Sequence, residues 1–410
     1  MVNIAVMGHG TVGSGVVDVL FKHREAIAAR AKNEINVKHI LDLREFPELP
    51  YAHLFTKDFN VILNDPEVLV VVDTMGGINP AYDFVKKSLL AGKNVVTSNK
   101  ELVAAKGDEL LSIANEKNVN FLFEASVRGG IPVLRPIAQC LAANDIFEIA
   151  GILNGTTNFI LDKMIKDGES FEDALAEAQR LGYAEKDPTA DVDGFDAARK
   201  ICILASLGFG RHVYPEQVVP EGIRNISLCD IDVADAFGYV IKLIGRTKLR
   251  SDGKITATDY PALVKKENIL SGVNGVFNAV MVRGDAIGDV MFYGRGAGKL
   301  PTASAAVADV IDCVKHLSAR KYLFWESGFD GYVVDSAEDT VRMMVRANIV
   351  EPGEARSEIN RAFGTDIDFI AKDSQLAFIT PFASEKTLKE QLASLKAVDI
   401  VSTVRVFDRF

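Results

Sequence analysis

Apolar positions in the first third of the chain fall into short blocks. Residues 2–7, 37–41, 68–73 and 94–97 read as brief apolar strands, and helical periodicity separates the later ones, as over 81–91. Strands and helices alternating at this spacing predict a parallel, doubly wound α/β sheet. Beyond about residue 130 the texture changes. Alternating stretches at 146–153 and 275–283 predict a second sheet, with helices at 159–166, 171–181 and 197–207. The helical pattern at 303–314 is expected to return and cover the first unit. Residues 321–338 form an irregular, glycine-containing connector. The tail then runs strand 341–346, turn Glu351-Pro352-Gly353, helix to 363, strands 366–370 and 375–380, helix 385–395 and strand 401–407. That βαββαβ order predicts a small ferredoxin-like domain. The expected division is 1–130 with 300–320, then 131–299 as a second α+β domain, a linker at 321–338, and the tail at 339–410.

Bulk composition narrows the function classes. A chain of 410 residues exceeds one ordinary domain. Its 48% hydrophobic and 25% charged residues are those of a soluble globular protein. A net charge of −10 without a basic tract argues against nucleic acid and anionic membrane as partners. No apolar run has the length of a bilayer span. The N-terminus enters a strand directly, so the expectation is a cytoplasmic protein. Cys140, Cys202, Cys229 and Cys313 lie far apart in apolar contexts and are expected to be reduced core thiols. The six histidines show no metal-ligand spacing.

The chemistry concentrates in the acidic, turn-rich run from Gly182 through Glu185, Asp187, Asp191, Asp193 and Asp196 to Lys200, which opens into the apolar stretch 201–207. A helix starting there puts Asp196 and Lys200 one turn apart on one face. Taken alone, such a pair is ordinarily a solvated salt bridge worth a few tenths of a kcal/mol. On a mostly buried helix it becomes a proton-transfer group, because burial lowers the lysine's pKa while the carboxylate holds it charged and oriented.

Other motifs surround it. Gly8-His9-Gly10-Thr11-Val12-Gly13 fits G-x-G-x-x-G after a strand and before a helix, the setting in which a pyrophosphate meets a helix N-terminus. At the end of the second strand Asp42 suits the ribose hydroxyls of NAD and Arg44 the 2′-phosphate of NADP; the two residues also suit a plain salt bridge. Thr74-Met75-Gly76-Gly77 and the 96–102 segment with Ser98 and Lys100 end strands at the sheet's carboxyl edge, where such folds bind ligands. Lys100 there either reaches nicotinamide and substrate or starts a helix in solvent. The turn from Glu124 to Pro132 offers carbonyls and one carboxylate to a hard cation, or is simply a turn. Gly294, Gly296 and Gly298 form a second glycine cluster, fit for a close approach to cofactor or for a loop.

Together these motifs resemble the homoserine dehydrogenase family. The carriers are GHGTVGSGV (8–16), TSNKELVA (97–104), EASVRGGIPVL (124–134), GILNGTTNFIL (151–161), GYAEKDPTADVDGFDAARK (182–200) and GRGAGKLPTASA (294–305). The resemblance implies a Rossmann-type nucleotide domain, a catalytic and dimerisation domain, and an ACT-like regulatory tail. It implies NADP- or NAD-dependent, reversible reduction of aspartate 4-semialdehyde to homoserine. Lys200 would then be the proton donor and acceptor, with Asp196 its partner, and Glu185 and Asp191 would bind the substrate's amino group and hydroxyl side. Lys100 would contact nicotinamide and substrate, and Gly182, Gly296 and Gly298 would lie against the cofactor. Glu124 with the carbonyls of Val127, Gly129 and Ile131 would hold sodium. A homo-oligomer, dimer or tetramer, and an amino-acid effector are also implied. Ser98, Arg128 and Glu351 depart from the family pattern, Glu351 standing where the tail turn usually has Asp. Two other readings keep the same motifs: another amino-acid semialdehyde dehydrogenase, and a non-catalytic NAD-binding amino-acid sensor.

Overall fold

The computed structural model describes residues 1–127, 129–319, 323–372 and 374–408. The first unit is a parallel sheet of β1 (Val2–Met7), β2 (Ile35–Leu41), β3 (Phe55–Thr56), β4 (Val68–Asp73), β5 (Asn94–Thr97) and β6 (Phe121–Leu122). Their order is β3-β2-β1-β4-β5-β6. The strand order reverses between β1 and β4, which opens a crevice at the carboxyl ends of those parallel strands. The helices are α1 (Thr11–Lys22), α2 (Arg24–Ala31), α3 (Phe59–Leu63), α4 (Ala81–Leu90), α5 (Lys100–Glu116) and the single turn α6 (Glu124–Val127). Ile4, Val6, Val70 and Val72 are buried on one face of the sheet against Val16 and Val17 of α1, while Ala5, Met7 and Val71 share the other face's core with α4 and α5.

The second unit begins with β7 (Ile146–Ile152) and carries α7 (Gly155–Asp167), α8 (Phe171–Arg180), α9 (Thr189–Val192), α10 (Phe195–Phe209) and α11 (Leu228–Ala236). The hairpin β8 (Tyr239–Leu249) and β9 (Ile255–Lys265) follows, then β10 (Phe277–Gly284) and β11 (Gly288–Arg295). The helix α12 (Lys299–Lys315) does return to the first unit. Its Ala303, Ala306, Val307 and Val310 enter the core behind α1. Gly15 permits this approach, since a Cβ there would stand 3.0 Å from that of Ala303.

The tail contains β12 (Thr340–Val341), β13 (Met343–Ile349), α13 (Ala355–Phe363), β14 (Phe369–Lys372), β15 (Gln375–Ile379), β16 (Ala383–Ser384), α14 (Glu385–Ser394) and β17 (Val398–Val406). The run β17-β13-β15-β14 is the ferredoxin-like order, with Ile359 of α13 and Leu388 of α14 packed over Val345 and Phe378. This sheet does not stand alone. Arg405 and Val406 pair in parallel with Ala262 and Leu263 of β9, so one nine-stranded sheet runs β11-β10-β7-β8-β9-β17-β13-β15-β14. Two ion-pair networks fasten the seam. Arg346 Nε donates to Asp230 Oδ1 at 2.9 Å, and Arg405 grips both Glu221 and Glu385.

Several expectations are corrected. The turn expected from Glu124 opens as the short helix α6, and the strand before it, β6, ends at Leu122. Cys140 and Cys229 are exposed, one at the end of a wide helical turn and one in the first turn of α11, so of the four cysteines Cys202 and Cys313 are the buried ones. The tail strand expected at 366–370 lies at Phe369–Lys372, and Arg128 lies outside the described residues. Among the described residues no helix is long and apolar enough to cross a membrane.

The seam generates a stability test. Asp230 is 0% and Arg346 7% exposed. Removing one partner of a buried pair leaves an uncompensated charge. Arg346→Leu should cost about 3–5 kcal/mol in urea unfolding. A loss below about 1 kcal/mol, the range of exposed pairs, would show that this contact does not hold the seam.

Candidate active site

The crevice between β1 and β4 is shaped by glycine. Gly8 adopts φ +92°, and a Cβ on Gly13 would lie 1.9 Å from the Gly8 carbonyl oxygen, so α1 can begin this close to the loop only without a side chain there. Gly10 caps α1 without a side-chain hydrogen bond, which leaves Thr11, Val12 and Gly13 presenting backbone at the helix N-terminus. Thr74 Oγ1 donates to the Met7 and Gly8 carbonyls at 3.0 and 2.9 Å and ties the end of β4 to the loop.

Asp42 and Arg44, alternatives in the sequence, are partners in the fold. Arg44 Nε and Nη2 donate to the two oxygens of Asp42 at 3.0 and 2.9 Å, and the His9 amide donates at 2.8 Å. Hydrogen bonds from Arg44 hold the Asp42 carboxyl well below the usual carboxylate range.

Where β5 ends, Thr97 Oγ1 donates to Asp73 Oδ2 at 2.7 Å, and burial pushes Asp73 up to about 6. The Ser98 amide donates to the Asp73 carbonyl at 3.0 Å. Asn99 then caps α5 by accepting from the Leu102 amide, while its Nδ2 reaches the Gly77 carbonyl at 2.6 Å. Lys100, the first residue of α5, is thereby aimed across the crevice.

It meets the acidic run there. Gly194, with φ +86°, turns the chain from α9 into α10, and a Cβ on it would stand 2.8 Å from Asp259 Oδ2. On the first turns of α10, Lys200 Nζ lies 2.5 Å from Asp196 Oδ2 and donates to the Leu153 carbonyl at 3.1 Å. Lys100 Nζ lies 2.5 Å from Asp196 Oδ1. At 4% and 8% exposure, Asp196 and Lys200 are not a solvated pair.

The electrostatics are asymmetric. Burial alone would raise Asp196, but the charges of Lys200 and Lys100 override it and hold the carboxyl far below its ordinary value. The Asp196 charge raises Lys100 in return. Burial, and then the charge of Asp196, raise Asp191. The site therefore contains one carboxylate locked as an anion and a neighbour that is harder to ionise.

The structure gathers Lys100, Asp191, Asp196 and Lys200, but not every expected residue joins them. The Glu185 side chain is exposed, and only its backbone carbonyl is anchored, by Gln179. Gly182 caps the turn after α8 with φ +75°. Asn154 was assigned no role from sequence, yet its Nδ2 donates to Asp191 Oδ1 at 2.7 Å and Asp196 Oδ2 at 2.9 Å. The unassigned asparagine inside GILNGTTNFIL was the one available signal.

The Glu124 loop is built differently from a bare turn. Glu124 accepts from the backbone amides of Val133, Leu134 and Arg135 at 2.6–2.8 Å. Asp309, pushed up to about 8 by burial and the nearby Glu124 charge, accepts from the Glu124 amide and from Arg135. Gly129 donates to the Gly296 carbonyl at 3.0 Å, and a Cβ on it would meet Thr302 Oγ1 at 2.2 Å. Gly298 caps α12 with φ +124°. This packing joins the loop holding Val127, Gly129 and Ile131 to the second glycine cluster. Among the described residues no group of three or more His, Cys, Asp or Glu side chains is placed to hold a metal. A carboxylate has about four lone-pair sites, so three amides leave Glu124 room for one cation contact beside the loop carbonyls.

Comparison with known proteins places this geometry. Residues 8–124 match the family model described as homoserine dehydrogenase, NAD binding domain, and residues 132–311 that of homoserine dehydrogenase. A homoserine dehydrogenase of Synechocystis sp. is 46% identical over 76% of this chain and 73% of its own length. The crystal structure of one from Thiobacillus denitrificans superposes with a TM-score of 0.91 at 34% identity, covering 99% of this chain and 98% of that one. A hyperthermophilic archaeal homoserine dehydrogenase in complex with NADPH superposes at 0.64 and 29% identity, over 76% and 97% of the two chains.

The loop geometry sets an expectation. Gly13→Ala forces the first turn of α1 away from Gly8, so dinucleotide affinity, read by fluorescence titration, should fall by more than about tenfold. Unchanged affinity would mean that the Gly8–Gly13 turn does not cradle the cofactor.

Proposed function

The chain belongs to the homoserine dehydrogenase family, an NAD(P)-dependent oxidoreductase of amino-acid biosynthesis that interconverts aspartate 4-semialdehyde and homoserine, and we propose that the Lys100–Asp196–Lys200 cluster is where it does so. The observation that carries this reading is a buried carboxylate held between two ammonium groups from two units, beside a glycine loop fit for a dinucleotide.

The bound nicotinamide supplies hydride to the semialdehyde carbonyl carbon, or takes it from homoserine. The residues must then manage a proton. Lys200 gives one from Nζ to the oxygen that has gained charge, and in the reverse direction its neutral amine takes the hydroxyl proton. Asp196 does not itself transfer a proton; its low pKa keeps it an anion that orients Lys200. Lys100 brings a second positive charge from the nucleotide unit toward the oxygen and the nicotinamide. Glu185, from its exposed turn, and Asp191 take the substrate's amino group and hydroxyl side. An amino-acid substrate requires anionic grips for its ammonium and a cationic donor for its carboxylate, and this cluster contains both.

The remaining assignments follow the same reading. The cofactor groups are Gly8, Gly10, Thr11, Val12, Gly13, Thr74, Ser98, Gly182, Gly296 and Gly298. Asp42 serves the ribose hydroxyls of NAD, and Arg44, turned away from Asp42, serves the 2′-phosphate of NADP. Glu124 and the carbonyls of Val127, Gly129 and Ile131 would hold sodium. The tail is an ACT-like regulatory domain that takes an amino-acid effector, and the chain acts as a cytoplasmic homo-oligomer.

Lys200→Ala should lower kcat by at least about two decades with little change in cofactor affinity. Wild-type turnover in that variant would remove Lys200 from the reaction. Glu185→Gln should instead raise KM for homoserine at nearly constant kcat, and a normal KM would end its assignment to the ammonium.

A further inference from the structure

We propose that Asn154 is a positioning residue whose side-chain amide holds Asp191 beside Asp196, so that Asp191 stays an anion for the substrate while Asp196 stays with its two lysines. The inference rests on the reading of Asp191 as a substrate grip and gives a role to the 151–161 motif.

The geometry is specific. Asn154 is buried at the N-cap of α7, directly after the end of β7. Its Oδ1 accepts from the Thr157 amide at 2.8 Å and from Thr157 Oγ1 at 3.1 Å. That requirement fixes which way the amide faces, because the cap needs the oxygen. Both N–H groups are then left for the carboxylates of Asp191 and Asp196. Leu153, its neighbour, accepts from Lys200. Two consecutive residues at one strand–helix junction therefore set the proton-transfer lysine and the two acids.

The chemistry explains why an amide stands there. Asp196 from α10 is neutralised by Lys200 of its own helix and Lys100 of α5. Asp191 faces the same three charged groups, but among the described residues its side-chain donor is the Asn154 amide. Burial and the Asp196 charge both favour protonating it. A protonated Asp191 loses the charge that attracts an ammonium. Hydrogen bonds to the ionised form favour ionisation. An amide supplies them to both acids without titrating, and without adding a third positive charge that would repel the substrate.

Two substitutions separate this role from helix capping. Serine and aspartate are both good N-caps, so Asn154→Ser and Asn154→Asp keep the start of α7. The serine hydroxyl is too short and has too few protons to bridge two carboxylates, and the aspartate has no donor when ionised. The measurement is the pH profile of kcat/KM for aspartate 4-semialdehyde, the direction in which Lys200 is charged and gives its proton, with the thermal midpoint as control. The acid limb reports Asp191: activity is lost as pH falls through its pKa, so losing the donor should move that limb to higher pH. We expect a rise of about one pH unit in Asn154→Ser, and a larger one in Asn154→Asp, expressed in KM more than in kcat. An acid limb that stays in place in both variants overturns the proposal, whether turnover falls or not. A limb that stays in place while the midpoint drops assigns Asn154 to capping alone and overturns it equally. Lys200→Ala measured in parallel tests the site assignment separately, since its inactivity beside an unmoved limb leaves that reading standing.

Discussion

The Asp196 carboxylate between Lys200 and Lys100 is the constraint around which the rest of the molecule is arranged. Taking Asp196 and Lys200 out of water is costly, Lys100 being only half-buried, and a buried ion pair is weak grounds for stability. This arrangement is therefore kept for what it does, and the fold must hold it. Lys200 comes from the same helix, one turn on, and adds a bond to the Leu153 carbonyl. Lys100 comes from the other unit and requires the Asn99 cap to aim it. Arg199 and Glu101, 2.7 Å apart, join the same two helices beside the cluster. The Lys100–Asp196 contact thus also registers the first unit against the second. On the proposed reading of the site, hydride and proton reach the same carbonyl only when that register is right.

What was legible in the sequence was local. The Gly8–Gly13 turn, the Asp196–Lys200 spacing and the strand-end Lys100 each depend on neighbours within a few residues, and each appears where its pattern placed it. Asn154 was not legible because its partners lie 37 and 42 residues away. The hairpin of β8 and β9 escaped for another reason. Lys242, Arg246 and Thr247 on one strand and Thr256 and Asp259 on the other are buried polar residues, which erase the apolar pattern that marks a strand. Their burial is affordable because partners meet them inside. Lys242 donates to the Val273 carbonyl at 2.8 Å and Arg246 to Glu148 at 2.6 Å. The Glu124 loop was half legible. Its spacing suggested a cation turn, and only the fold reveals that the amides at 133–135 use most of the carboxylate.

The expected tail domain is present as a βαββαβ unit, but its sheet is continuous with that of the second unit, and this has an energetic reason. A free four-stranded sheet beside a free five-stranded one would expose four edges, each a row of unpaired backbone groups open to association. Pairing β17 with β9 leaves two, β11 and β14. The parallel register at Arg405–Ala262 and Val406–Leu263 is short, so the networks of Arg346 and Arg405 must supply what backbone pairing does not. The seam also lies close to the chemistry. β9 carries Asp259, the residue a side chain on Gly194 would strike, and Gly194 is where α10 begins. Arg405 reaches Glu221, whose amide donates to the Asp259 carbonyl at 2.8 Å. A tail that moved relative to β9 would therefore press on the strand that underlies the first turn of α10. Because Asp196 sits two residues past Gly194, that turn cannot shift without changing the distance on which both lysines depend.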